Sequence, residues 1–296
     1  MSLPRELFDK TIFDLVTNQL KDLEAKLDSD VLFYYGPIDI SYIKLFRDCI
    51  EELKSPANQE KMHERLTIVL NTPGGSAEAT EKMVEIVRAN YSELYFVVPD
   101  FAMSAGTLFC MAGDKIYMDY SSSLGPIDPQ VLVGNAYVPA LGYLDKVDEF
   151  IKKSAAGTLT QAEFLMLQQQ DIAKLNFYQQ AKELTISLMK DWLVQYKFKD
   201  WTTHRTDAQK KGQPVTNQEK IDRADSIARD LGDNKRWHSH GRFIGINTIQ
   251  TVLRLEVEDY SKDVPLRNLI RSYNDMILSY ILRHQFPALI HSKLGF

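Results

Sequence analysis

Apolar and polar positions along this chain follow two rhythms, and the changes of rhythm mark its elements. Phe8, Ile12, Val16, Leu20, Leu23 and Leu27 recur at helical spacing behind Pro4, which predicts an amphipathic helix over residues 4–27. Val31–Tyr35 is a short apolar run that reads as a strand, closed by a Gly36-Pro37-Ile38-Asp39 turn. Ser41 is a candidate cap for a helix carrying Ile43, Phe46, Ile50 and Leu53. Leu66–Asn71 repeats the strand pattern with β-branched Thr67, Ile68 and Val69, and Pro73-Gly74-Gly75 ends it. Ser76 then caps a helix whose Ala79, Met83, Ile86 and Val87 lie on one face. Leu94–Val98 is a strand with no polar alternation, as burial on both faces requires. Met103-Ser104-Ala105-Gly106 turns the chain into an apolar helix over Thr107–Ala112, and Lys115–Met118 is the next strand. Strand, turn and helix therefore recur, and the expected core is a spiral of ββα units.

The pattern loosens further along. Ser55–Glu64 reads as a polar loop containing a surface His63, and Tyr120–Asn135 as an irregular segment rich in serine, glycine and proline. Asp145–Lys153 suggests a short helix. Thr160 caps a long helical region reaching Tyr196, with Ile172, Leu175, Ala181, Leu184, Leu188 and Trp192 near one face. Asp200–Ala224 reads as a loop followed by a short helix through Ile227, and Asn247 as the cap of another helix. The cleanest periodicity comes last: Leu266, Leu269, Ile270, Tyr273, Met276, Ile277, Tyr280 and Ile281, behind Asp263 and Pro265. Its wide apolar stripe must be covered by the body of the protein or by another subunit.

Composition narrows the class. The 296 residues suffice for one large domain or two modest ones, and a formal net charge of −5 gives no reason to expect nucleic acid. Cys49 and Cys110 fall in apolar helical contexts, so buried thiols in a reducing compartment are expected, not a disulfide. No apolar run is long enough to span a bilayer, and MSLPRELFDKTIFD lacks the apolar centre of a signal peptide; a cytoplasmic protein is expected.

The chemistry concentrates at two turns. At Gly74 and Gly75 the absence of side chains lets backbone N–H groups approach a bound atom. Ser104 starts a helix, beside free N–H groups and the positive end of the helix dipole. If the two strands are neighbours, these turns share a sheet edge, and a hydroxyl faces two sets of donors. That is a nucleophile with an oxyanion hole.

NTPGGS, with Gly75 followed 29 residues later by the serine of AMSAGT, and then GDKIYMDYSSSLGPIDPQ, resembles the ClpP/crotonase superfamily. The likeness is closest to the signal peptide peptidase (SppA) side and to the Clp-fold serine proteinases of the SDH family, over about residues 31–131. The resemblance implies an α/β, ClpP/crotonase-like spiral of ββα units with flanking N- and C-terminal helices. It implies Ser104 as nucleophile and the N–H groups of Gly75 and Ala105 as the oxyanion hole. Two departures matter. Where ClpP has a histidine some two dozen residues after the serine, this chain has Asp128 and Pro129; where SppA enzymes have a base lysine, Ile151–Thr158 has none at the matching end.

The general base is therefore open between His240 and Lys153. His240 lies in RWHSHGRFIG with His238 and Arg242, where structural bonding, substrate binding and metal ligation compete. A base lysine would need partial burial to be neutral when required. Asp128 either orients a base or caps its own turn. The chain is expected to be one domain over residues 1–296, with an N-terminal helix (1–30), a ββα core (31–150) and a helical region ending in a C-terminal helix (151–296). A homo-oligomeric serine peptidase acting on peptides or proteins, without metal or cofactor, fits best. The alternatives are a non-catalytic peptide-binding scaffold and a crotonase-like acyl-CoA enzyme.

Overall fold

The computed structural model describes residues 3–58, 63–133, 136–206 and 208–295, with the backbone alone at 3–9, 131–133, 136–139 and 141. Phe8 of the expected stripe, Asn135 and the centre of the Ser55–Glu64 loop lie outside the described side chains. In chain order the first half contains α1 (Leu3–Leu27), β1 (Asp30–Tyr35), α2 (Ile43–Lys54), β2 (Arg65–Asn71), α3 (Ala77–Asn90), β3 (Glu93–Val97), β4 (Phe101–Ala102), α4 (Ala105–Met111), β5 (Lys115–Met118) and β6 (Ser123–Leu124). A hairpin of β7 (Gln130–Val133) and β8 (Ala136–Pro139) follows, then α5 (Ala140–Ala155), α6 (Gln161–Gln168), α7 (Ile172–Trp192) and α8 (Asn217–Gly232). The chain closes with α9 (Asn234–Trp237), β9 (Ile244–Gly245), α10 (Ile246–Thr251), β10 (Glu258–Asp259), α11 (Val264–His284) and β11 (Leu289–Ser292).

Side-chain alternation on the central strands builds three layers. The main sheet runs β10-β5-β3-β2-β1-β11, parallel throughout except for β11 against β1. Leu32 and Tyr34, Leu66, Ile68 and Leu70, and Leu94 and Phe96 point to one face, where α2, α3, α4, α7 and α8 cover them. Val31, Phe33, Val69 and Val97 point to the other, where Val16, Leu20 and Leu23 of α1 and Ile270, Tyr273 and Ile277 of α11 close over them. The last stripe is thus covered within the chain. A second, three-stranded sheet, β4-β6-β9, adjoins the C-terminal end of β2 through a bridge between Thr72 and Ala102. The α/β spiral with flanking terminal helices is observed as expected.

The local corrections have simple causes. Asp39, not Ser41, is the cap: its carboxylate accepts from Ser41 N at 2.9 Å and opens a 3₁₀ turn ahead of α2. Gly245, not Asn247, occupies the N-cap of α10, because β9 runs straight into that helix. The helix expected to end near Ile227 is α8, which continues to Gly232 and is started by a Thr216–Glu219 capping box. The helical region after Thr160 is interrupted where Asp171 starts α7 by accepting from Ala173 and Lys174 N. Part of the expected irregular segment after Tyr120 is strand, β6 and β7. Among the described residues no helix is long and apolar enough to cross a membrane.

Candidate active site

The glycine turn and the serine turn are sewn together by backbone. Thr72 N donates to Phe101 O at 3.1 Å and Met103 N to Thr72 O at 3.0 Å. On the other side Ile38 straps the glycines down, its N–H donating to Gly74 O at 2.8 Å while its carbonyl accepts from Ser76 N at 2.9 Å. Gly74 and Gly75 have φ of 108° and 153°, and side chains have no room there. A Cβ on Gly75 would stand 2.0 Å from Ile38 O; one on Gly74 would stand 2.8 Å from Ser104 Cβ and 3.4 Å from Ala105 N. The second pair of distances fixes the main point: the glycine turn touches the serine.

Ser104 is strained. Its φ of 50° with ψ of −114° falls in no well favoured by an L-residue, in a strand-to-helix turn at the N-cap of α4. A helix-starting serine normally bonds its own helix, yet Ser104 makes no side-chain cap bond. Among the described residues its hydroxyl has no hydrogen-bond partner, and the Gly75 and Ala105 N–H groups donate to no backbone carbonyl. A half-buried hydroxyl and two uncommitted donors therefore surround adjoining bends.

The small sheet brings up the rest. β6 lies parallel to β4, with Ala102 opposite Leu124, and β9 runs antiparallel to β6, with Leu124 opposite Ile244. The chain leaves the same end of this sheet after Ala102 toward Ser104, after Leu124 toward Asp128, and before Ile244 from His240. Thr107 pins that end: its hydroxyl lies 2.8 Å from both Ala102 O and Gly125 O and accepts from Gly125 N at 2.9 Å. His240 Nδ1 stands 2.9 Å from Asp128 Oδ1, with the histidine side chain 18% exposed and the aspartate 1%. A carboxylate can only accept, so Nδ1 carries the proton, and in the neutral ring Nε2 keeps the lone pair. No hydrogen bond joins His240 and Ser104.

Lys153 is held elsewhere and in the opposite state. Its ammonium, in the last turn of α5, pairs with Glu163 at 2.6 Å and Glu149 at 3.0 Å. The bonds to Glu163 and Glu149 raise its pKa above the ordinary lysine value, whereas a base lysine needs a lowered one. His238 ends α9 in a left-handed conformation (φ 60°) and is exposed, as is Arg242. His63 is less superficial than expected, 15% exposed with Nδ1 3.9 Å from Asp28. Among the described residues no group of His, Cys, Asp and Glu could hold a metal ion, and Cys49 and Cys110 are free thiols.

The model of the ClpP-like SDH-type serine proteinases matches residues 48–223, more than half of the chain. This chain belongs to that family. The match includes the glycine turn, Ser104 and Asp128 and stops short of His240. Two uncharacterized proteins of Methanocaldococcus jannaschii are 41% and 35% identical to it over 66 residues each, 22% of this chain and 23% of each of those proteins. The matched part is thus about a quarter of the length of these relatives. Similar solved structures include the 1510-N membrane-bound stomatin-specific protease, at 13% identity over 80% of this chain and 84% of that one, with a TM-score of 0.45. ClpP1 from Listeria monocytogenes is 14% identical over 80% and 96% of the two chains, with a TM-score of 0.41. The SDH-type fold is the α/β spiral described above.

The Gly74-Gly75 turn read from the sequence abuts Ser104, and Gly74 is the glycine whose Cβ would meet it. One pairing escaped the sequence. Asp128 belongs to His240, a pairing across the fold that no local pattern encodes.

Proposed function

We propose that this SDH-type chain is a serine peptidase in which Ser104 attacks a peptide carbonyl, His240 is the general base and Asp128 orients it. The observation that supports this most is the strained, unbonded Ser104 pressed against the glycine turn. As Oγ bonds to the carbonyl carbon, His240 Nε2 takes the hydroxyl proton. The Gly75 and Ala105 N–H groups hold the oxyanion of the tetrahedral intermediate, and each such donor contributes about 2.7–4 kcal/mol to lowering the barrier. Collapse expels the amine, which receives its proton from His240, and water then hydrolyses the ester on Ser104 by the same steps reversed. Such contacts often tighten only when substrate is bound, so this role does not require a His240–Ser104 hydrogen bond beforehand. Substrate would lie extended beside the glycine turn, its backbone paired with the chain.

The finer reading is a single-domain homo-oligomer of the reducing cytoplasm. Exposed Phe164, Met166, Ile172 and Phe177 on α6 and α7 support a covering subunit, and the free thiols support the compartment. Sedimentation analysis tests the former, a monomer at micromolar concentration refuting it. A fluorophosphonate probe tests the chemistry: the native chain should label and Ser104→Ala should not. A folded chain that never labels would favour the non-catalytic scaffold instead.

A further inference from the structure

A polar residue sits on the buried stripe of α11, between Ile270 and Ile277. Asn274 is 2% exposed. Its amide reaches both turns of the site: Asn274 Nδ2 donates to Asp100 Oδ2 at 2.8 Å, and Asn274 Oδ1 accepts from Asn71 Nδ2 at 2.7 Å. Asn71 is the last residue of β2, directly ahead of the glycine turn, and Asp100 lies in the loop that leads through β4 to Ser104. The carbonyl of Asp100 also accepts from Ser123 N at 2.8 Å, in β6, the strand that continues to Asp128.

The orientation of this chain is dictated from one end. A carboxylate only accepts, so Asn274 must turn its NH₂ to Asp100 and its oxygen to Asn71, and Asn71 must in turn present its NH₂. That leaves Asn71 Oδ1 buried without a partner among the described residues. A leucine at position 274 would suit the apolar stripe but would take the partner from Asn71 Nδ2 and from Asp100 Oδ2, so the amide serves the tie and not the packing.

We infer that Asn274 is a positioning residue: by tying the end of β2 to the loop before Ser104, it sets the separation of nucleophile and oxyanion donors. This rests on the serine peptidase reading above. Small displacements of reacting groups cost large factors in rate, so loss of the tie should act on Ser104 reactivity beyond its effect on folding.

The test is the second-order rate constant for fluorophosphonate labelling of the full chain, at a temperature where circular dichroism shows each variant folded. Asn274→Ala is expected to lower it on the order of 10- to 100-fold. Asn274→Asp should lower it too, by setting two carboxylates face to face. The double variant Asp100→Asn/Asn274→Asp restores a donor opposite an acceptor and still accepts from Asn71, so it should recover most of the rate. Ile277→Ala, a cavity variant on the same helix face, controls for stability and should lower Tm while leaving the rate within about two-fold. Labelling unchanged in folded Asn274→Ala, or no recovery in the double variant, would overturn the inference alone. A native chain that does not label would remove the peptidase reading and this inference with it.

Discussion

At the scale of single residues, the site depends on what two positions lack and on what one pair supplies. Gly75 cannot accept a Cβ, which would stand 2.0 Å from the Ile38 carbonyl, and its φ of 153° disfavours any other residue. Gly75→Ala is therefore expected to displace the strap and abolish Ser104 labelling, with a lower Tm in the same protein. Asp128→Asn keeps the volume but can donate to Nδ1, which stabilises the tautomer with the lone pair on the wrong nitrogen. It should reduce peptide turnover, measured on fluorescent casein, on the order of 10³- to 10⁴-fold with little change in Tm. Retention of turnover within ten-fold would remove Asp128 from the mechanism. The Gly-Gly and Ser104 features were legible because each is a local backbone demand. The Asp128–His240 contact was not, since 112 residues separate its partners.

At the scale of elements, some helices build the site as well as covering the sheet, and others only cover the sheet. α4 belongs to the first group, and Gly106 lets it approach the glycine turn: a Cβ there would meet Thr72 Cγ2 at 2.3 Å. α1 belongs to the second, with Val16, Leu20 and Leu23 fully buried against the α11 side of the sheet. Leu20→Ala should cost about 2–5 kcal/mol in denaturant unfolding while the folded fraction labels at the native rate. A loss of labelling in folded Leu20→Ala would mean that α1 reaches the chemistry after all. The long stripes of α1 and α11 were readable because helical periodicity is repeated over many turns. β11 was not: four residues, two of them the polar His291 and Ser292, carry no periodicity, and their strand state comes from pairing with β1.

At the scale of the molecule, one buried and one partly buried group give opposite pH dependences. His291 is enclosed by Tyr273, whose hydroxyl is 2.8 Å from Nδ1, and by Thr17, whose hydroxyl is 3.3 Å from Nε2. Burial lowers its pKa from 6.5 to about 4. A depressed histidine contributes stability that is full above about pH 6.5 and lost as pH falls through 4. Burial raises the Glu24 carboxyl from 4.5 to about 7, only partly opposed by Lys293. Its contribution is full below about pH 4.5 and lost as pH rises through 7. Each amounts to about 3 kcal/mol, so between pH 4.5 and 6.5 the two slopes largely cancel. Denaturant titrations of the native chain should vary little across that window on their account. Glu24→Gln should make stability rise with pH there, and His291→Gln should make it fall. The same slope in both variants would refute the assignment.

The sequence by itself determined the alternation of strands and helices, the two bends, the identity of the nucleophile candidate and the family likeness. Each is written in neighbouring residues, through periodicity or a backbone conformation that only certain residues adopt. The tertiary structure alone decided that His240 meets Asp128, that Lys153 is locked to Glu149 and Glu163, and that Asn274 bridges two strand ends. Those outcomes depend on which segments the fold sets side by side, and a side chain's chemistry is set by the groups that packing brings to it.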